Sequence, residues 1–87
     1  MNLKISPSFD RDAKKAPKEI IIGLQSTISA IINARSLSEI PRLKKLSGSK
    51  NAYRIRIEDY RLGLLLENDC VILKRLLSRK DVYKFFP

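Results

Sequence analysis

The sequence predicts an α+β fold: a small antiparallel sheet of four to five strands with two N-terminal helices packed on one face. Three observations predict it. Apolar residues between positions 17 and 32 recur with a period near 3.6. From Leu43 onward the period becomes two. Short polar turns separate these later segments, and short turns join antiparallel neighbours. A chain of 87 residues suits one domain spanning 1–87, and no internal repeat or linker divides it.

The elements follow in order. Leu3 and Ile5 alternate with Lys4 and Ser6, which reads as a short strand. Ser6 can cap a helix beginning at Pro7, because proline has no N–H to leave unpaired at that position. Phe9 and Ala13 share a face of this helix, and Pro17 ends it by Ala16. Pro17 opens a second helix with an apolar stripe of Ile20, Ile21, Leu24, Ile28, Ile31 and Ile32. Ser36-Leu37-Ser38-Glu39 fits a capping box and predicts a helical turn before Pro41. Leu43 and Leu46 flank Lys44-Lys45 in a short strand, and Ser47 to Asn51 is a loop by composition. Tyr53-Arg54-Ile55-Arg56-Ile57 alternates apolar and basic residues, and Glu58-Asp59 makes a tight turn. Tyr60–Glu67 and Val71–Leu77 are apolar strands joined at Asn68-Asp69.

Composition removes several classes of function. The chain has no histidine, so histidine triads, histidine metal sites and imidazole acid–base pairs are excluded. Its single cysteine, Cys70, can neither form an internal disulfide nor hold a zinc alone. No metal and no cofactor are expected. No apolar run approaches the roughly 20 residues of a membrane span. The N-terminus lacks the hydrophobic middle of a signal peptide, so a cytoplasmic location without membrane contact is expected.

Charge points to a polyanion or a strongly acidic partner. Eighteen Lys and Arg against nine Asp and Glu give a net charge of +9. The excess is lopsided: residues 1–41 hold six basic and four acidic side chains, residues 42–87 twelve and five. On the strand 53–57, Tyr53, Ile55 and Ile57 should face the helices while Arg54 and Arg56 face away, with Glu58 next in that row. Arg61 opens the following strand beside them, and Arg75 and Arg79 share parity on the last. A row of arginines favours bidentate phosphate contact.

These residues also carry a resemblance. Tyr53-Arg54-Ile55-Arg56-Ile57-Glu58-Asp59-Tyr60-Arg61 resembles the "YRIRxGDYR" motif of RelE/ParE toxins. Leu77-Ser78-Arg79-Lys80-Asp81-Val82-Tyr83 is similar to their C-terminal "HRKDVY" motif, and Leu43 to Gly48 to their "KLxG" segment. The resemblance covers essentially the whole chain and implies the compact RelE/ParE fold. It implies a toxin of a type II toxin–antitoxin module with an acidic antitoxin as partner. In the RelE branch it implies a ribosome-dependent endoribonuclease acting on mRNA. There the messenger's 2′-hydroxyl attacks its own 3′-phosphate, leaving a 2′,3′-cyclic phosphate and a 5′-hydroxyl.

Residue by residue, the resemblance assigns Arg54 and Arg56 to the scissile phosphate and Arg61 to phosphate charge. It assigns Arg79 to the leaving group and Tyr83 to base stacking or backbone orientation. For Tyr83, packing of the C-terminal tail with Phe85 and Phe86 is the other reading. Lys44, Lys45, Arg75 and Lys80 are expected to bind RNA. Two departures stand out: Glu58 replaces the family's usual glycine, and Ser78 replaces its frequent histidine. Glu58 reads first as a solvated turn carboxylate; the other reading is a general base, since some members of the resembling family use a carboxylate. Other functions compatible with the pattern are ParE-type gyrase inhibition and RNA binding by a weakened or inactive toxin.

Overall fold

A computed structural model describes residues 1–87. The order is β1 (Asn2–Ile5), α1 (Pro7–Lys15), α2 (Lys18–Asn33), a 3₁₀ turn (Leu37–Glu39), β2 (Leu43–Lys45), β3 (Ala52–Ile57), β4 (Tyr60–Glu67), β5 (Cys70–Ser78) and α3 (Arg79–Phe85). The five strands form one sheet in the order β1-β5-β4-β3-β2. No helix is long and apolar enough to cross a membrane.

Local rules account for most boundaries. The Ser6 side chain accepts from the Phe9 N–H at 3.4 Å and caps α1, with Pro7 as its first residue. Pro17 sits at the N-cap of α2. Asn68 and Asp69 both have φ in the left-handed region, 51° and 62°, as a two-residue hairpin of right-handed twist requires. At the 3₁₀ turn the Glu39 carboxylate reaches back to the Arg35 N–H at 2.8 Å. That is one residue earlier than the predicted capping box, and Ser36 supplies no side-chain cap.

The core lies between one sheet face and the two N-terminal helices. Phe9, Ile20, Leu24, Ile31, Ile55, Ile57, Leu62, Leu64, Val71, Leu73 and Leu76 are buried there. The stripe of α2 is rotated from the predicted one. Thr27 is buried within it, and Ile32 is 54% exposed. Thr27 is tolerated inside because its hydroxyl donates to the Gly23 carbonyl at 2.9 Å. Gly23 lets α2 approach the sheet, since a Cβ there would meet Ile57 Cγ2 at 2.8 Å.

Three features correct the sequence reading. The sheet is mixed, because β1 pairs with β5 in parallel. Alternation within a strand reports its faces and not its neighbour. Second, a register shift in β4–β5 places Gly63 opposite Arg75 but Leu64 opposite Leu73, so Lys74 is an extra residue. Third, the chain ends in a helix, α3, which packs on the sheet face away from α1 and α2. Val82 and Phe86 join Ala52 in a second small core, with Leu46, Leu65 and Leu77 packed against it.

Beyond the short β1, the open edge of β5 is covered by α1. Ser6 Oγ donates to the Leu73 carbonyl at 2.8 Å and Ser8 Oγ to the Lys74 carbonyl at 2.7 Å. Asp12 accepts from the Leu76 N–H at 2.9 Å. These side chains take the place of a neighbouring strand.

Candidate functional site

The register of β3 and β4 builds the basic face. Arg56 lies directly opposite Arg61, and Arg54 opposite Gly63. Ile55, Ile57 and Leu62 fill the core on the helix side, so Arg54, Arg56 and Arg61 project from the other face. Leu77 lies opposite Arg61, and Arg79 follows two residues later as the first residue of α3. The Arg79 N–H donates to the Asp59 carbonyl at 2.8 Å, tying the start of α3 to the β3–β4 turn.

Packing of α3 then fixes Tyr83. Val82 and Phe86 are buried against the sheet while Tyr83 stays 66% exposed. The Arg54 guanidinium stands 4.8 Å from the centre of its ring, a cation–π contact. Gly63 makes this docking feasible: its missing Cβ leaves room for the Phe86 ring. The helix itself is signalled by Ser78-x-x-Asp81, with Ser78 Oγ accepting from the Asp81 N–H at 3.3 Å.

The cluster is electrostatically uncompensated. The Arg61 guanidinium is pushed below its ordinary value by partial burial first, then by the charges of Arg56 and Arg79 and, more weakly, Arg54. Tyr83 acts in the opposite direction. The one ion pair in the protein joins Arg75 to Asp12 at 2.7 Å. Arg61 is positioned instead by backbone carbonyls, its Nη1 donating to Glu58 at 3.0 Å and Tyr60 at 2.9 Å.

The other expected site residues divide. Lys44 lies opposite Arg54 and Lys45 opposite Tyr53. Both line a groove of about 330 Å³ shared with Arg54, Tyr83 and Phe86. Lys80 is exposed on α3. Arg75 is not part of the row. Its backbone stays in register opposite Gly63, but Asp12 of α1 holds its guanidinium with bonds of 2.7 and 3.3 Å and raises its pKa. Glu58 sits at the end of the row. Its φ of 53° is in the left-handed region, and its side chain lines a second groove with Gly23, Thr27, Arg42, Ile57 and Arg56 of the row itself. That backbone conformation accounts for the glycine usual at this position in the resembling family. No motif in the sequence marks Arg42, whose Nε donates to the Arg56 carbonyl at 3.2 Å.

Four guanidiniums and an exposed aromatic ring on a rigid sheet can hold a bent phosphodiester and stabilise charge developing on it. This architecture recurs in known proteins. No family model matches the chain. It is 34% identical over 88 aligned positions, with both chains fully covered, to Toxin RelE3 of Methanocaldococcus jannaschii. The chain belongs to the RelE family of toxins. Among solved structures it is similar to the toxin of the RelB–RelE antitoxin–toxin complex from Methanococcus jannaschii, at TM-score 0.81 and 33% identity, covering 97% of this chain and 99% of that one. The fold is shared with YafQ of E. coli, at TM-score 0.75 and 21% identity over 94% and 97% of the two chains. It is shared too with a RelE–RelB complex from Pyrococcus horikoshii, at TM-score 0.72 and 20% identity over 90% and 93%.

Proposed function

We propose that this chain is an endoribonuclease that cuts messenger RNA on the ribosome and is restrained by a cognate acidic antitoxin. The supporting observation is the convergence of Arg54, Arg56, Arg61 and Arg79 on one sheet face without a single carboxylate partner. A structural cluster would be expected to carry counter-charges; one that awaits a polyanion need not. Solved relatives are complexes with the RelB antitoxin, which supports a partner of that kind here.

In this reading the messenger's 2′-oxygen attacks the adjacent phosphorus and its proton passes to water. Arg54 and Arg56 hold the phosphate, and Arg61 stabilises the charge that grows on its oxygens. The bond to the 5′-oxygen breaks, Arg79 stabilises that leaving group, and the 5′-oxygen takes a proton from water. The products are a 2′,3′-cyclic phosphate and a 5′-hydroxyl. Tyr83 stacks on a base or orients the backbone. Arginine is too basic to accept the 2′-proton, so the rate acceleration comes from electrostatic preorganisation. Lys44, Lys45 and Lys80 attract flanking RNA.

Primer extension on cellular mRNA after induction tests this. Cuts in translated messages, relieved by co-expressed antitoxin, are the expected result. Intact messages with DNA damage would transfer the protein to the gyrase-inhibitor class.

A further inference from the structure

A second groove, of about 350 Å³, opens where α2 meets the β3–β4 turn, lined by Gly23, Thr27, Arg42, Arg56, Ile57 and Glu58. Its origin is topological. Strand β2 begins at Leu43 opposite Ile55, so the Arg56 carbonyl lies beyond its end. Arg42 Nε satisfies that carbonyl, and no other nitrogen of this guanidinium has a protein partner. Arg42 and Glu58 both have left-handed backbone, φ 61° and 53°, which at Glu58 is what the two-residue β3–β4 turn requires. The groove thus presents two guanidiniums and one carboxylate, and Glu58 forms an ion pair with neither arginine.

A ligand that satisfies all three groups combines an anion with a hydroxyl donor. One nucleotide unit of RNA does so, through its phosphate and its ribose 2′-hydroxyl, whereas DNA offers only the phosphate. Arg56 belongs to both this groove and the arginine cluster, where it faces Arg61, so a strand leaving the cluster around the turn enters the groove directly. We infer that the groove is a subsite for a nucleotide flanking the scissile phosphate. Its phosphate lies on Arg42 and Arg56, and its 2′-hydroxyl donates to the Glu58 carboxylate. The subsite rests on the reading that the strand crossing the arginine face is RNA.

The test reads binding and not cutting. Anisotropy of a short labelled single-stranded oligoribonucleotide, and of its deoxy counterpart, is measured across a salt series. Arg42→Gly removes the side chain where the backbone already suits glycine, so the fold is kept. It should weaken RNA and DNA alike and reduce the salt slope by about 0.7, as loss of one phosphate contact on a single strand does. Glu58→Gly should narrow the preference for RNA roughly ten- to a hundredfold, as loss of a hydrogen bond to a charged group does, without weakening DNA. An unchanged slope in Arg42→Gly, or equal tightening of RNA and DNA in Glu58→Gly, overturns the subsite. A chain that cuts no messenger yet shows both shifts keeps the subsite and loses the nuclease reading. One that cuts messenger while both variants bind like wild type loses only the subsite.

Discussion

Replacing Gly63 by alanine sets two rules against each other. Gly63 lies within β4 and its φ is not positive, so backbone entropy alone predicts that alanine stabilises it by roughly 0.5–1 kcal/mol. Packing predicts the opposite. The new Cβ would lie 2.7 Å from both Cδ2 and Cγ of Phe86 and 2.9 Å from Cδ1. The ring must withdraw by about 1 Å to regain ordinary contact near 3.5–4.0 Å. Phe86 and Val82 are the buried anchors of α3, so the whole helix lifts with the ring. Overpacking of this kind costs about 1–3 kcal/mol, which outweighs the entropic gain. For a domain of this size each kcal/mol lowers Tm by roughly 4–8 °C.

Thermal and urea unfolding of Gly63→Ala measure the stability, and ribosome-programmed mRNA cleavage measures the site, because α3 carries Arg79 and Tyr83. Both should fall. Phe86→Ala provides the second arm. Once the ring is gone, Gly63→Ala should become neutral or stabilising, a coupling that only direct contact produces. A Gly63→Ala protein as stable and as active as wild type, or one equally damaged with and without Phe86, would refute the docking argument.

Three further outcomes follow from the site. Arg61→Ala and Arg79→Ala should each lower the single-turnover cleavage rate by roughly 10²–10³ while leaving circular dichroism unchanged; a folded double variant that cuts normally removes these residues from the chemistry. Glu58→Gln should change the apparent affinity for programmed ribosomes more than the rate constant, because its carboxylate faces the second groove; a hundredfold loss in rate at saturation would restore Glu58 as general base. Ser78→His should cut faster yet melt roughly 4–8 °C lower, since it supplies an imidazole beside Arg79 but removes a helix cap worth ~1 kcal/mol. If it cuts no faster than Ser78→Ala, arginine electrostatics already supply what an imidazole would.

Helix starts were legible because they depend on neighbours in sequence: Ser6 caps the helix that Pro7 opens, and Pro17 separates α1 from α2. The arginine row of β3 was legible for a similar reason, since strict alternation over 53–57 leaves only one assignment of faces. Long-range choices were not legible. Nothing in Asn2–Ile5 says that its partner is β5 or that the pairing is parallel. Asp12, on a helix far away in sequence, holds Arg75 out of the row, and no local pattern marks that contact. The last helix was signalled by Ser78, Asp81 and the pair Val82–Phe86, but its seven residues give less than two turns of periodicity. Arg42 joins Arg56 through a carbonyl left open by the end of β2, which only the register reveals.

The protein uses its arginines in two physically different ways. Arg75 is held by a carboxylate, and the Asp12 oxygens that neutralise it also cap the edge of β5. Its charge is spent within the fold. Arg61 is held by two carbonyl oxygens, Arg42 by one, and Arg54 by the face of Tyr83. The main-chain amide of Arg79 is held by a carbonyl too. Carbonyls and ring faces orient a guanidinium through partial charges and leave its full charge uncancelled. Setting Arg56 against Arg61 on adjacent strands is unfavourable in the free protein, because like charges directly opposite repel. The repulsion is relieved when an anion arrives, and it is relieved most where negative charge is greatest. In the proposed cleavage a phosphorane-like transition state would carry more negative charge than the phosphodiester before it, so arginines that form no ion pair would bind the transition state better than the ground state. An acidic segment that silenced the site by occupying it would bring the carboxylates that the arginine row lacks.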